Sequence, residues 1–351
     1  MKVNSLRRLF IICPLMLASG MCFTGCDSLF FDDEGDCTVH YKVPVTFTEN
    51  FDGGDAVNQQ VREVTLYVMD SNGNVVKTQS ATVPAASTAG FAMDVDVAPG
   101  TYDLLVWGSG ESPVQNPTAY AIGGGDAPAT ASQITATLPL SGNEGALYCE
   151  RDITPLFHGL SNGVEFPDTY GDVTVSAVNL TRDTHVFQVV LQSIDNNVID
   201  PSEISVSIEA ANSELSYTNA VTSTTQFSYR PWQVTATSAS FDNPEAAPAR
   251  ADGDANGLMA ELTTGRLMAD RNVKLVVHRN SDNTDVIRIN LIDYLLMVKG
   301  EYNRLITDQQ YLDRMRTFTL MFFLDGDRNW YTAGGVFING WRIVPPQQGS
   351  L

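Results

Sequence analysis

The chain is short of the residues on which most reaction centres depend. Its four histidines, His40, His158, His185 and His278, are scattered. No His-x-x-x-His or Cys-x-x-Cys spacing offers a zinc site. There is no Gly-x-Ser-x-Gly elbow and no Gly-x-Gly-x-x-Gly run after a strand. Each histidine therefore reads as a strand or loop residue rather than a catalytic base. Basic residues are scarce as well, with 21 Lys and Arg against 41 Asp and Glu, for a net charge of −20. That balance argues against non-specific nucleic-acid binding, which needs a basic footprint. It suits a solvated protein kept soluble by self-repulsion. No hydrophobic run reaches the ~20 residues that a membrane-spanning helix requires.

What the N-terminus does contain is ordered as an export signal. Lys2, Arg7 and Arg8 precede a nearly unbroken apolar run over residues 9–17, followed by Ala18, Ser19 and Gly20. The run is too short to span a bilayer and reads as a signal peptide, residues 1–25, to be set aside from the fold. Phe23-Thr24-Gly25-Cys26 resembles a bacterial lipobox, with Phe23 where leucine is usual. A small Gly25 admits the peptidase, and the Cys26 thiol is the nucleophile that takes lipid. Cys22 is a poorer candidate because Met21 stands where a small residue is wanted. Each buried methylene adds about 0.8 kcal/mol and a single chain holds only marginally, so multiple acyl chains on Cys26 give a lasting anchor. Covalent lipid is the only cofactor expected, and no metal.

Removal of residues 1–25 takes three basic residues and no acidic ones, lowering the net charge from −20 to −23. Residues 26–37 then form a short acidic tether. Acidic residues soon after a lipidated cysteine resemble the signal for the outer face in Bacteroidetes, although a plain solvated linker reads equally well. Of five cysteines, Cys13 and Cys22 leave with the signal and Cys26 carries lipid. Cys37 and Cys149 remain as a candidate disulfide of an exported protein, with two separate thiols as the alternative.

From Cys37 onward the pattern is β. Residues 40–47 alternate, with Pro44 suggesting an edge. Residues 61–69 are rich in branched and aromatic side chains and run into Asn72-Gly73, a hairpin signal, with the return over 75–80. Residues 91–97 alternate, Pro99-Gly100 turns the chain, and 101–107 run back. Residues 109–130 read as a long loop, whose Gly123-Gly124-Gly125 lacks the Lys-Ser/Thr of a phosphate cradle. Residues 134–140 and 146–152 are expected to complete a first sandwich, residues 38–162, with 156–159 as its exit. A second, residues 163–351, is expected to open with strands at 172–180 and 185–194. It continues through 204–210, 258–268, 272–279 and 285–291. Helices are expected near 293–299 and 308–314, then a terminal hairpin of 317–324 and 336–344. Turn signals every ten residues or so predict sandwiches.

One metal motif needs weighing. Asp252-Gly253-Asp254-Ala255-Asn256-Gly257 matches the first half of a calcium loop, but Thr263 stands at the position of the bidentate glutamate. It reads better as a solvated loop. Asp325-Gly326-Asp327 reads as a turn. No carboxylate pair is singled out for glycosidase work.

The layout resembles the FimB/Mfa2-type fimbrial anchor subunits of Bacteroidales. The stretches that carry the likeness are Leu295-Leu296-Met297-Val298-Lys299-Gly300-Glu301-Tyr302, Asp308-Gln309-Gln310-Tyr311-Leu312-Asp313-Arg314, Phe322-Phe323-Leu324-Asp325 and Ile338-Asn339-Gly340-Trp341-Arg342-Ile343-Val344. Val64-Thr65-Leu66-Tyr67-Val68-Met69-Asp70, Pro99-Gly100-Thr101-Tyr102, Leu156-Phe157-His158-Gly159 and Leu180-Thr181-Arg182 support it. The resemblance implies an all-β protein of two tandem transthyretin-like β-sandwich domains and a non-enzymatic role. It also implies a lipid-anchored place in the outer membrane and fimbrial subunits as partners, joined by strand addition to an open sheet edge. The terminal strand over 336–344 is a candidate edge, although an internal strand with Trp341 in the core is the stronger reading. A surface glycan-binding lipoprotein is the alternative; its platform needs exposed aromatics such as Trp107, Trp232, Trp330 or Trp341 on one face, and it loses its main support if three of those four are buried. A tip or shaft subunit with an adhesin role is a rival within the family. Shaft subunits mature by cleavage at a basic site after the first strand, where Arg62 is the one arginine.

Overall fold

The computed structural model describes residues 39–85, 90–195, 197–237, 256–300 and 303–344. The chain starts with β1 (Val39–Thr46), a short helix α1 (Val57–Gln60), β2 (Glu63–Met69), β3 (Val75–Thr82), β4 (Ala92–Val95) and β5 (Gly100–Ser109). Three two-residue strands follow, β6 (Ala121–Ile122), β7 (Ala136–Thr137) and β8 (Tyr148–Cys149). Next come β9 (Leu156–Phe166), β10 (Gly171–Thr174), β11 (Val178–Asn179) and β12 (Thr181–Arg182). The second half holds β13 (Thr184–Ser193), β14 (Ile204–Ala210), β15 (Glu214–Leu215), β16 (Phe227–Tyr229), β17 (Gln233–Thr237) and β18 (Gly257–Gly265). It ends with β19 (Lys274–Arg279), β20 (Thr284–Asn290), α2 (Leu291–Met297), α3 (Asp308–Arg314), β21 (Thr317–Leu324), β22 (Val336–Ile338) and β23 (Trp341–Ile343).

The architecture is all-β, built of packed sheets. One sheet centres on β1, flanked by β10 and β11 in parallel and by β4 in antiparallel. It faces a five-stranded sheet ordered β12-β9-β5-β2-β3. Between them lie Tyr41, Val43, Val45, Leu66, Val68, Leu104, Val106, Phe157 and Phe166, all buried. Burying side chains of this size contributes roughly 1.5–3 kcal/mol each. A second core lies between a six-stranded sheet, β17-β18-β13-β21-β22-β23, and a five-stranded one, β20-β19-β14-β16-β8. Leu291, Ile292 and Leu295 of α2 are buried in this core.

Local chemistry sets several boundaries. Thr307 caps α3 by accepting from the Gln310 amide at 3.1 Å, and the Gln310 side chain accepts from the Thr307 amide at 2.9 Å. The hairpin between β2 and β3 uses positive φ at Gly73 alone; Asp70 Oδ1 accepts from the amides of Asn72 and Asn74. At Gly159 a Cβ would stand 2.7 Å from Val178 Cγ1, so only glycine lets β9 pass this close beneath β11.

Several sequence expectations change. Residues 156–159, expected as an exit, open β9, an eleven-residue strand between β5 and β12. The expected boundary between 162 and 163 falls inside that strand. Residues 172–180, expected to open the second sandwich, instead pair with β1 and bury Val175, Val178 and Leu180 in the first core. Residues 134–140 and 146–152 were expected in the first sandwich, yet Ile134, Ala136, Leu138 and Cys149 pack in the second core. Residues 336–344 are two strands rather than one. Asn339 and Gly340, with φ of 49° and 83°, form a two-residue turn between Ile338 and Trp341.

Candidate functional site

Cys26 and Cys37 lie outside the described residues, as do residues 252–255 of the Asp/Gly loop. Cys149, the other half of the expected bridge, is buried, and burial pushes its thiol pKa up. Such a thiol is a weak nucleophile. From the calcium-like run, Asn256 is buried and its Oδ1 accepts from Gln192 at 2.5 Å. Thr263 is buried too, its hydroxyl donating to Asp152. Its side chain is engaged inside the fold. Among the described residues no group of three or more His, Cys, Asp or Glu is arranged to hold a metal.

The histidines are spread over the molecule. His158 and His185 are buried, and burial lowers each to about 4. Each ring is neutral and donates to a carbonyl: His158 Nε2 to Tyr217 O and His185 Nδ1 to Met315 O, both at 2.8 Å. His278 pairs with Asp285 at the surface, 2.8 Å apart, and His40 lies exposed on β1.

The four tryptophans do not share an exposed face. Trp107 is buried against His158, with ring centroids 4.7 Å apart. Trp232 is half-buried, and Trp330 is half-buried against the second core. Only Trp341 is open, at 66% exposure. The expectation that Trp341 packs in the core is therefore overturned. Opposed residues share a face of a sheet, so Trp341 points to the same side as fully buried Ile338. It lies on the outermost strand, where the core no longer covers it.

That strand, β23, ends the six-stranded sheet and is followed by exposed Val344. The hairpin is pinned from behind. Asn339 Oδ1 accepts from the Thr319 amide at 2.8 Å, and Arg342 donates to the carbonyls of Gly334 and Ala333, both at 3.1 Å. The result is a short edge, unpaired among the described residues, with an indole beside it. The Asn-Gly dipeptide was the signal that could have shown this turn in the sequence.

Arg62 is likewise held. Its guanidinium donates to the carbonyls of Asn58, Val61 and Gln59 at 2.9–3.2 Å and meets Glu111 at 3.4 Å. β1 before it is central in its sheet.

Packed β-sheets, two buried cores and open sheet edges define a β-sandwich protein. Residues 33–345 match the fimbrillin-A associated anchor proteins Mfa1 and Mfa2, and the chain belongs to that family. A search of curated protein sequences returned no match. Among solved structures, a Bacteroides thetaiotaomicron protein described as a candidate polysaccharide-binding protein superposes with a TM-score of 0.71. It is 24% identical, over 89% of this chain and 100% of that one. A candidate adhesin from Bacteroides ovatus gives 0.67 at 21% identity, over 88% and 97%. The fimbrial anchor protein Mfa2 from Porphyromonas gingivalis gives 0.63 at 16% identity, over 88% and 99%. At these identities the likeness concerns the fold. The family is one of fimbrial anchor proteins.

Proposed function

We propose that the protein is an outer-membrane lipoprotein at the base of a fimbrium, held by lipid on Cys26 and joined to fimbrial subunits through its sheet edges. The family match supports the anchor role. The observation that carries this reading against a shaft subunit is the closed first sandwich. Tyr41, Val43 and Val45 of β1 are buried and flanked by strands on both sides. The basic residue after β1, Arg62, is tied into four contacts and is poorly presented to a protease. A subunit that keeps its first strand offers no vacancy there. Of the four tryptophans on which a glycan platform would rest, one is buried, two are half-buried and one is exposed, which weakens the glycan-binding alternative without removing its support.

The test is Cys26→Ala in cells that assemble fimbriae. Fimbriae are expected in the culture medium, with the unlipidated protein attached to them. Fimbriae retained on the cells at normal number and length would overturn the anchor role.

A further inference from the structure

The first strand is joined to the rest of the chain at two opposite ends. Its parallel register with β10 sets Val39 beside Gly171, so both strands start at one end. Thr46 stands beside Asn179 of β11 at the other end. Past that second end the chain runs through β12 and Asp183 directly into β13 of the second core. The residues that follow β1 are tied there too. Arg314 of α3 meets Glu49 at 2.7 Å, and the rings of Tyr311 and Phe51 have centroids 5.9 Å apart. β13 and β21 run onward from this junction in parallel. The chain toward Cys26 and the second core therefore pull on β1 from opposite ends.

Bonds hold β1 on both sides. The Lys42 and Thr46 carbonyls accept from the amides of Val175 at 3.0 Å and Leu180 at 2.7 Å, and the Val45 amide donates to Phe91 O at 3.0 Å. β4 pairs along residues 41–44. At the junction end, Asn179 Oδ1 accepts from the Thr46 hydroxyl and from the amide and hydroxyl of Thr48, at 3.0–3.1 Å. Bonds between strands run across the strand axis. A pull along the axis loads them together, whereas a sideways pull at one end breaks them in turn.

The side chains beneath β1 oppose sliding. Tyr41, Val43, Val45 and Phe47 are buried on one face. A slip of one residue would turn Lys42 and Pro44 into the core. A slip of two toward Val39 would force Phe47 into the place of Val45. Phe47 packs edge-on against Phe157 at 5.2 Å, and Tyr41 against Phe166 at 4.9 Å with its hydroxyl donating to Pro167 O at 2.8 Å. A close-packed interior has no room for such exchanges of small for large.

We propose that β1 is a shear clamp, the element that holds the body to its tether when the second core is pulled away from it. Load along the strand meets all of its bonds at once, and the buried row from Tyr41 to Phe47 blocks stepwise slippage. Resistance of this kind is kinetic, set by the barrier to unfolding under force rather than by equilibrium stability. The source of the load rests on the anchor reading above; the clamp itself rests on the register of β1.

Single-molecule stretching tests it on the full mature chain carrying Cys26→Ser. Cys37, just before β1, gives one handle after reduction. The second handle is either Asp327→Cys, exposed beyond the end of β21, or Tyr170→Cys, exposed beside the Val39 end. At equal pulling rate, the first handle is expected to give an unfolding force at least about two-fold higher than the second. Asn179→Ala, an exposed position, is expected to lower the force with the Asp327 handle and leave it unchanged with the Tyr170 handle. Peeling from Val39 gives way before it reaches Asn179. Equal forces in the two directions would overturn the clamp. An equal drop in both directions with Asn179→Ala would mean general loss of stability and would overturn it as well. Loss of the anchor reading shows differently, as fimbriae that stay on cells carrying Cys26→Ala.

Discussion

His158 and His185 show what burial does to single residues. Both rings are neutral in the fold because charging them in the interior is unfavourable, and their pKa falls to about 4. In the unfolded chain each titrates near the ordinary value of 6.5. Between those values the unfolded state binds more protons. Their contribution is therefore complete above about pH 6.5 and is lost as pH falls toward 4. Asp183 opposes them. Burial raises its carboxyl to about 7 despite Arg266 at 3.5 Å, so across the same range it favours the fold at lower pH. Two imidazoles against one carboxyl leave a net loss. Urea midpoints are expected to fall between pH 7 and pH 4.5, and the trend should reverse in the His158→Gln, His185→Gln double variant, where Asp183 is left unopposed. An unchanged slope in that variant would contradict the assignment.

Among the elements, the segment between β5 and β9 is the one whose allegiance is least apparent along the chain. It starts from a strand of the first core and returns to another, yet its apolar residues fill the second. β7 pairs with β15 and β8 with β16. Leu138 donates its amide to Ser213 O at 2.7 Å, and Ile134, Ala136, Leu138 and Ile153 are buried among residues of the second core. A fragment of residues 163–351 would lack this strap and would also carry only four of the eleven residues of β9. It is expected to show no cooperative thermal transition by circular dichroism. In the full chain, Leu138→Ala should cost about 2–5 kcal/mol. A fragment that melts cooperatively near the full-length temperature would refute this dependence.

At the scale of the molecule, the two cores share structural parts. β2 buries Val64, Leu66 and Val68 in the first core and Tyr67 and Met69 in the second. β5 divides Leu104 and Val106 from Leu105 and Trp107 in the same way. Across the junction, Arg314 meets Glu49 at 2.7 Å, and Phe51 lies 5.9 Å from Tyr311. A sheet buried on both faces cannot lose one core without exposing the other. Calorimetry is expected to give a single transition, lowered both by Leu66→Ala in the first core and by Leu320→Ala in the second. Two separable peaks would show that the cores are independent. For an anchor under load, such coupling would pass tension through the whole body.

By itself the sequence determined the β class, most long strands and the helix over 308–314, because alternation, branched residues and helical periodicity act over a few residues. It also marked Cys26 by charge, apolar length and a small residue before a thiol, all local features. It did not reveal which core a short strand joins. Residues 134–152 and 172–180 are apolar enough for either, and only long-range pairing assigned them. Nor did it place Trp341, since an indole reads as core until the sheet is seen to end at β23. The change of sheets between β16 and β17 was out of reach for the same reason, because it follows from pairings between strands distant in sequence.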